Sequence, residues 1–560
     1  MNSNKKEIGQ SVVKGSIILI IANLLVKVIG ALFKIPLANL LGNEGMGYFS
    51  SAYAIYSGLF VVATAGLPVA IAKMVAESTA HNNLRELKRI HRVSYAMFTV
   101  VGVIGTLVLY FGADKLISDY GDNSICVEIV APAIFFVSIM SVYRGFFQGL
   151  SDMYPTALSE LIESGTKLVV GIMFAYVFLK QGLVYGAAGA ISGVTIGSIL
   201  GAIFLIAVFL FKRKNIYSRF DNTKKAPPVK DVVFKLLYVA LPVTISASVF
   251  TITNLIDVAQ IGSRLSLIAD KIPKEQLEKC VEYTSDAITG VADSATSAIV
   301  NSLYGMYQAK VVTMLNLIPA IVVAVCLPLV PAIARAYESK KMASVSMATN
   351  RSIKFTIVFA LPGAVGIGVL SDPILVTLFK SNDASFILKL ITPAIVTVSL
   401  VLVTNAILQA TGHVLVPVIN IAVAGITKVI INYFLLVIPE VNISGVAVGT
   451  SACYTVYMIL NLIYVVKITK PNLKFLDCVL KPGIASLIMG VSVWAVNRVL
   501  TGFMDYTRFE AVVRTFVSVA VGVLVYVPVL FKLNVLSEDE ISELPKGNKL
   551  ILVLKKIKLL

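Results

Sequence analysis

The feature that most constrains this chain is a succession of apolar runs that continues almost from end to end. A membrane-spanning helix needs ~20 consecutive, mostly apolar residues, and these runs are long enough. Of the 560 residues, 57% are hydrophobic and only 14% are charged. The polar interruptions, at most about 20 to 40 residues, are too short for a separate aqueous domain. The sequence therefore predicts an all-α polytopic membrane protein.

The apolar runs predict about fourteen transmembrane helices. Their predicted bounds are 15–41, 48–76, 92–112, 125–150, 156–180, 185–211, 232–262, 305–336, 352–372, 384–410, 414–438, 443–468, 475–499 and 508–532. The first run is too long for the apolar region of a signal peptide, so we interpret it as a retained first helix.

Loop charges separate onto two sides when these helices are threaded alternately through a bilayer. One side collects the N-terminus, the C-terminal tail and the basic segments Arg85–Arg92, Lys212–Lys230, Arg335–Arg351 and Lys467–Lys474. The positive-inside rule then predicts that both termini are cytoplasmic in the cell membrane. It also accounts for the net charge of +17 without a nucleic-acid partner.

The tail from Ser537 ends in LILVLKKIKLL. Its apolar residues and lysines suit a helix lying on an anionic inner leaflet. A disordered flanking segment is the equally open alternative.

The two halves of the chain resemble each other in short segments. Ala70–Lys73 reads like Ala332–Arg335, 262 positions later, and Thr166–Lys167 recurs as Thr427–Lys428 after 261 positions. We expect two six-helix lobes related by a pseudo-twofold axis along the membrane normal, as in parallel-repeat transporters that rock around a cleft. The predicted parts are an N-terminal lobe 1–211, a basic cytoplasmic linker 212–235, a C-terminal lobe 236–468 with an outer loop 263–304, two further helices in 475–532, and a basic cytoplasmic tail 533–560.

Ionisable residues inside membrane helices are costly and usually face a cavity or a partner. Lys27 and Lys34 lie seven residues apart on one face of the first helix. Lys27 is near the middle of that helix, where its ammonium group cannot easily reach the interface. Both lysines are therefore candidate substrate-binding residues.

A second cluster of charges occupies the predicted fourth and fifth helices. Arg144 is close to Glu160, Glu163 and Lys167 if the short connection makes these helices an antiparallel hairpin. The cluster is interpreted either as a buried ion pair that clamps the hairpin or as part of a substrate site. The position equivalent to Arg144 in the second half is Asn405, whereas a clamp alone would be expected in both halves.

The seventh predicted helix carries Asn254 and Asp257 on one face. Both are added to the candidate substrate-binding residues, and Asp257 is a candidate partner of Lys34.

Several function classes lack their sequence signatures. The five cysteines and three histidines have no ligand spacing, so neither a metal site nor a disulfide framework is expected. No phosphate-binding loop or nucleophile elbow occurs, so we expect a protein that is not an enzyme and that has no cofactor.

Two segments carry a family resemblance: GALFKIPLANLLGNEGMGYFSSAYAIYSGLFVVATAGLPVAIAKMVAES at 30–78 and YRGFFQGLSDMYPTALSELIE at 143–163. They resemble the polysaccharide-biosynthesis flippases of Gram-positive bacteria, a branch that includes the stage V sporulation protein B type and lipid II flippases. This branch belongs to the multidrug/oligosaccharidyl-lipid/polysaccharide exporter superfamily.

The resemblance implies transport of an undecaprenyl-diphosphate-linked saccharide between leaflets, with a role in peptidoglycan and cell-wall biogenesis or sporulation. The expected partners are the lipid-linked oligosaccharide, membrane lipids and the cell-wall synthesis machinery, and no oligomer is required. Lys27 resembles the first of several arginines in lipid II flippases, but lysine loses their bidentate phosphate contact. A cation-coupled exporter of small molecules on the same architecture is the alternative, and a scaffold or membrane glycosyltransferase is a third.

Overall fold

The computed structural model is helical almost throughout. It describes residues 2–121, 124–221, 223–280, 292–326, 329–474, 476–503, 507–536, 538, 540, 551 and 555. Within these residues there is no β-strand, and one isolated bridge joins Asn83 to Asp221. The described residues form two compact units, Met1–Gly305 and Met306–Leu560.

The first unit begins with helix α1, Asn2–Thr64, which contains a kink at Gly42. It continues with α2 Gly66–Ala80, α3 Leu84–Ile117, α4 Ser124–Gly149, α5 Tyr154–Phe178, α6 Leu183–Tyr217, α7 Val229–Leu265, α8 Lys274–Cys280 and α9 Ala292–Met306, whose last residue starts the second unit.

The second unit opens with a π-helical turn, Tyr307–Val311. Its helices are α10 Val312–Cys326, α11 Leu329–Glu338, α12 Met342–Val369, α13 Ser371–Phe379, α14 Ser385–Ala410, α15 Leu415–Leu435, α16 Ser444–Thr469, α17 Lys481–Phe503 and α18 Arg508–Lys532.

Twelve helical segments of the described residues are long and apolar enough to cross a membrane. One of them, Leu25–Ala80, has 56 residues, more than twice the ~20 that one crossing needs. Helix α7 covers the predicted seventh span but is not among the twelve. The polytopic all-α prediction is confirmed, and the count of fourteen stays a prediction.

Several predicted helix ends differ from the structure. The predicted first and second helices form one helical run to Thr64, because a kink at Gly42, with φ 65°, joins them without an intervening loop. A positive φ is easily adopted by glycine because it has no Cβ. The predicted helix 305–336 is divided into several helical pieces, and the loop 263–304 contains α8 and most of α9.

Two close approaches position the walls of the first unit. A methyl group on Gly66 would overlap the carbonyl oxygen of Ala240, so α2 packs directly on the backbone of α7. A methyl group on Gly145 would lie 2.6 Å from the carbonyl oxygen of Pro68, which brings α4 equally close to α2. Small residues allow such contacts between membrane helices.

The second unit is closed at one end by the chain that follows α18. Val535 and Leu536 are buried in the same apolar core as Ile353 of α12. Lys354 Nζ lies 2.8 Å from a carboxylate oxygen of Glu540, and both side chains are about one-tenth exposed. Most of the predicted basic tail lies outside the described residues.

Candidate functional site in the first unit

The hairpin of α4 and α5 brings the predicted charge cluster together. The connection is short: the backbone N–H of Asp152 donates to the carbonyl oxygen of Phe147, and Pro155 lies in the first turn of α5. Arg144 Nη2 donates to Glu163 Oε2 at 2.9 Å, and Arg144 Nε donates to Ser159 Oγ at 3.0 Å. The contact of Arg144 with Glu163, expected from the hairpin, is confirmed, whereas its predicted role in substrate binding stays a prediction.

This ion pair forms part of the wall of a cavity of about 550 Å³. That volume lies within the range of ~300–1,000 Å³ that is usual for small-molecule sites. The charged groups in the wall are two basic and two acidic side chains, so their formal charges cancel. They are Arg144, Lys167, Glu160 and Glu163.

Glu160 differs from the other three because one of its oxygens has no partner. Its Oε2 is buried without a hydrogen bond to any described residue. Its carboxylate is in the electrostatic field of Arg144 and of Glu163, but the hydrogen bonds of Arg144 go to Glu163 and Ser159. Burying a carboxylate oxygen without a donor is unfavourable, so this atom is open to a donor from a ligand.

Lys167 is held by aromatic rings. Its Nζ lies 4.2 Å from the centre of the Tyr53 ring and 5.0 Å from that of Phe33. Lys34, next to Phe33 in the chain, is close enough for its charge to repel that of Lys167. Among the described residues, neither lysine forms an ion pair.

The other predicted site residues lie away from this cavity wall. The wall residues of α1 near Lys27 are Asn23, Val26 and Gly30, whereas Lys27 itself is exposed on a neighbouring face. Asn254 on α7 is exposed as well. The binding roles of Lys27, Lys34 and Asn254 stay predictions.

Asp257, also on α7, is only 3% exposed. It acts electrostatically on Tyr120, whose hydroxyl donates to the carbonyl oxygen of Val258 at 2.8 Å. Its pairing with Lys34 and its role in binding stay predictions.

The sequence interpretation missed the aromatic part of the wall. Phe49, Tyr53, Tyr56 and Phe60 follow one face of α1 beyond the kink, and their ring centres are 5.6 to 5.8 Å apart. Tyr53, Tyr56 and Phe60 line the cavity. Their spacing of three and four residues, which places side chains on one helix face, was the available signal.

No cluster of three or more potential metal ligands was found in the described part of the chain. Cys126, Cys326, Cys453 and Cys478 are buried free thiols.

A polytopic helical membrane protein with a charged cavity among its helices is the class that this architecture defines. The chain belongs to the family of polysaccharide biosynthesis proteins, whose model matches residues 12–337. A second family model, "Lipid II flippase MurJ", matches residues 286–534. The resemblance expected from the two quoted segments is therefore confirmed.

Two curated relatives from Bacillus subtilis (strain 168) align over nearly the whole chain. Stage V sporulation protein B is 24% identical over 546 residues, which cover 97% of this chain and 99% of the relative. Lipid II flippase MurJ is 23% identical over 551 residues, which cover 94% and 96%.

Solved structures show the same fold. A lipid II flippase MurJ in an inward closed conformation has a TM-score of 0.63 and 16% identity, with coverage of 92% of this chain and 98% of that one. An inward-facing multidrug resistance transporter of the MATE family has a TM-score of 0.58 and 16% identity, with coverage of 80% and 96%.

Proposed function

We propose that this protein is a flippase that moves an undecaprenyl-diphosphate-linked saccharide from the inner to the outer leaflet by alternating access. The substrate is a peptidoglycan precursor such as lipid II or a related cell-envelope oligosaccharide. No chemical step is part of this proposal, because the saccharide-lipid crosses the membrane unchanged.

The observation that carries the proposal is the pair of neighbouring lysines, Lys34 and Lys167. Each ammonium group inside a bilayer costs ~2.5–3.5 kcal/mol on insertion scales, and two close together repel each other. Cation–π contacts with Tyr53 and Phe33 offset part of this cost for Lys167. A diphosphate would offset much more, because it brings negative charge between the two lysines.

Arg144 offers a second contact for phosphate oxygens. Its guanidinium now binds Glu163 and Ser159 through different nitrogens. Guanidinium groups bind carboxylate and phosphate with the same fork geometry, so a phosphate can compete with Glu163 for this residue. The whole-length similarity to a lipid II flippase and to stage V sporulation protein B supports a lipid-linked saccharide as cargo.

The second candidate is a cation-coupled exporter of small amphiphiles. Glu160 and Glu163 together with the rings of Tyr53 and Phe60 in the cavity wall favour it, because carboxylates and aromatic faces attract cations. The unpaired lysines oppose a cationic cargo, and we therefore rank this function second.

The test is transport by purified protein in liposomes, with fluorescent lipid II and a fluorescent cationic amphiphile as alternative cargoes. We expect lipid II to be flipped, and Lys34→Gln combined with Lys167→Gln to slow it at least about tenfold, the equivalent of 1.4 kcal/mol. The matched control is Lys180→Gln, since Lys180 is an exposed lysine just beyond α5.

If the protein transports the amphiphile but does not flip lipid II, the second candidate replaces the proposal. Undiminished flipping by the double lysine variant would remove the lysine pair from the site.

The proposed direction of transport requires both termini to be cytoplasmic. We expect Glu440→Cys to react with an impermeant thiol reagent added to intact cells and Lys341→Cys to remain unlabelled; both positions are exposed. Labelling at Lys341→Cys in intact cells would reverse the orientation.

A further inference from the structure

The aromatic residues on the second half of α1 do not form a closed apolar core. Phe49 and Tyr56 are 1% and 2% exposed, whereas Tyr53 and Phe60 are only partly buried. Both partly buried rings belong to the cavity wall. The stripe therefore presents aromatic surface to the cavity at two levels, one helical turn on each side of Tyr56.

Hydrogen-bonding groups surround these rings. Ser57 and Thr64 lie on the same helix, and Gln148 faces the cavity from α4. Glu160 adds the carboxylate oxygen that lacks a donor. The wall thus combines flat apolar faces with neutral hydrogen-bonding groups and one free acceptor.

Sugar rings match this combination. A pyranose has a face of C–H groups that packs on an aromatic ring, and a rim of hydroxyl groups that donate and accept hydrogen bonds. A carboxylate oxygen gains more from a hydroxyl donor than an amide oxygen would, because its charge strengthens the bond. A diphosphate, in contrast, has no donor for Glu160 and would be repelled by it.

The anion and the sugar would use different ends of one cavity. Glu160 and Lys167 are seven residues apart on α5, which is about 10 Å along a helix. Lys167 marks the cationic end of the cavity, with Lys34 near it but outside the wall, and Glu160 marks the other end.

We propose that the face formed by Phe60 and Glu160 is a saccharide subsite, in which a sugar ring packs on Phe60 and donates a hydroxyl hydrogen to Glu160 Oε2. The inference rests on the proposed function and goes further, because it assigns the glycan to specific side chains. Such a subsite makes the protein selective for the sugar as well as for the lipid diphosphate.

The experiment compares two probes on the purified full-length protein: a farnesyl diphosphate and the same prenyl diphosphate carrying N-acetylglucosamine. The measured quantity is the ratio of their dissociation constants, which isolates the contribution of the sugar. We expect the parent protein to prefer the sugar-bearing probe.

Phe60→Leu and Glu160→Gln should each reduce this preference by about three- to tenfold, as loss of one aromatic contact or one hydrogen bond implies. Binding of the sugar-free probe should not weaken in either variant. Phe60→Trp should keep the preference, because it keeps an aromatic face. Phe174→Leu is the matched control, since Phe174 is a partly buried ring of the same unit that pairs with Phe178 outside the cavity wall.

An unchanged preference in correctly folded Phe60→Leu and Glu160→Gln would overturn the subsite, as would equal weakening of both probes. A parent protein that binds the sugar-free probe without preferring the sugar would overturn the subsite alone. A parent protein that binds neither probe would overturn the proposed function itself and the subsite with it.

Discussion

The α4–α5 hairpin of the first unit and the α14–α15 hairpin of the second occupy equivalent places in the predicted sequence repeat but carry different polar side chains. In the first hairpin, Arg144 binds Glu163 and Ser159. In the second, the equivalent residue Asn405 accepts hydrogen bonds from Asn461 at 2.7 Å and from Tyr457 at 3.1 Å. Arg144 and Asn405 are both buried, yet only Arg144 is charged.

The polar side chains around Asn405 in the second unit satisfy one another's hydrogen bonds. Asn461 is fully buried, donates to Asn405 and Thr404, and accepts from Asn420 at 2.8 Å. Buried polar groups that satisfy one another in this way specify packing without bringing a charge into the membrane. These amides join α14 and α15 to α16 without a charge, so the charges of the α4–α5 hairpin are not needed to hold helices together, and their position at a cavity points to a ligand.

The largest loss of stability is expected for Glu163→Ala. This change leaves the guanidinium of Arg144 buried without its counter-ion, and removing one partner of a buried pair costs about 3–5 kcal/mol. The free energy of unfolding in mild detergent, measured by titration with a denaturing detergent, checks it. A loss below about 1 kcal/mol would mean that water in the cavity already solvates Arg144.

An intermediate loss is expected for Asn461→Leu in the second unit. The leucine removes the bonds that Asn461 makes with Asn405, Thr404 and Asn420, and unsatisfied buried groups cost about 1–3 kcal/mol. Flipping of lipid II per folded molecule should stay at the parental rate. If transport stops while the protein remains folded, these polar side chains also take part in the transport cycle and the contrast between the hairpins disappears.

The smallest change in stability is expected when the first hairpin is given the residues of the second, with Arg144→Asn combined with Glu163→Ala. Replacing both members of a buried ion pair is often close to neutral, so unfolding should shift by no more than about 1 kcal/mol. Transport should nevertheless fall at least about tenfold. Stability and flipping are measured on the same preparation. Flipping at the parental rate would mean that the ion pair of Arg144 and Glu163 only holds the hairpin together.

Much of the fold could be predicted from the sequence, because a bilayer allows few alternatives to apolar helices. The contact between Arg144 and Glu163 could also be predicted, since a short connection fixes which ends of two helices meet. The residues of the cavity wall were harder to predict. Aromatic residues such as Tyr53 and Phe60 suit lipid, core and cavity equally well, so the rotation of α1 about its axis had to come from packing.

The surroundings of the two lysines of α1 were equally hard to predict. Lys27 and Lys34 share a face by spacing, yet one is exposed and the other lies beside Lys167. Which part of that face meets other helices depends on packing, which hydropathy does not record. The orphaned oxygen of Glu160 depends on where Arg144 directs its nitrogens, which no pattern of residue types reveals.

The ion pair between Lys354 and Glu540 sets an order of events during synthesis. The two residues are 186 positions apart, so a ribosome that adds ~5–20 residues per second reads the codon for Glu540 roughly 10–40 s after that for Lys354. Throughout that interval the nascent second unit carries an ammonium group whose partner does not yet exist. Lys354 therefore gains this partner only after α18 has been translated, and a chain terminated after α18 would leave the ribosome without it.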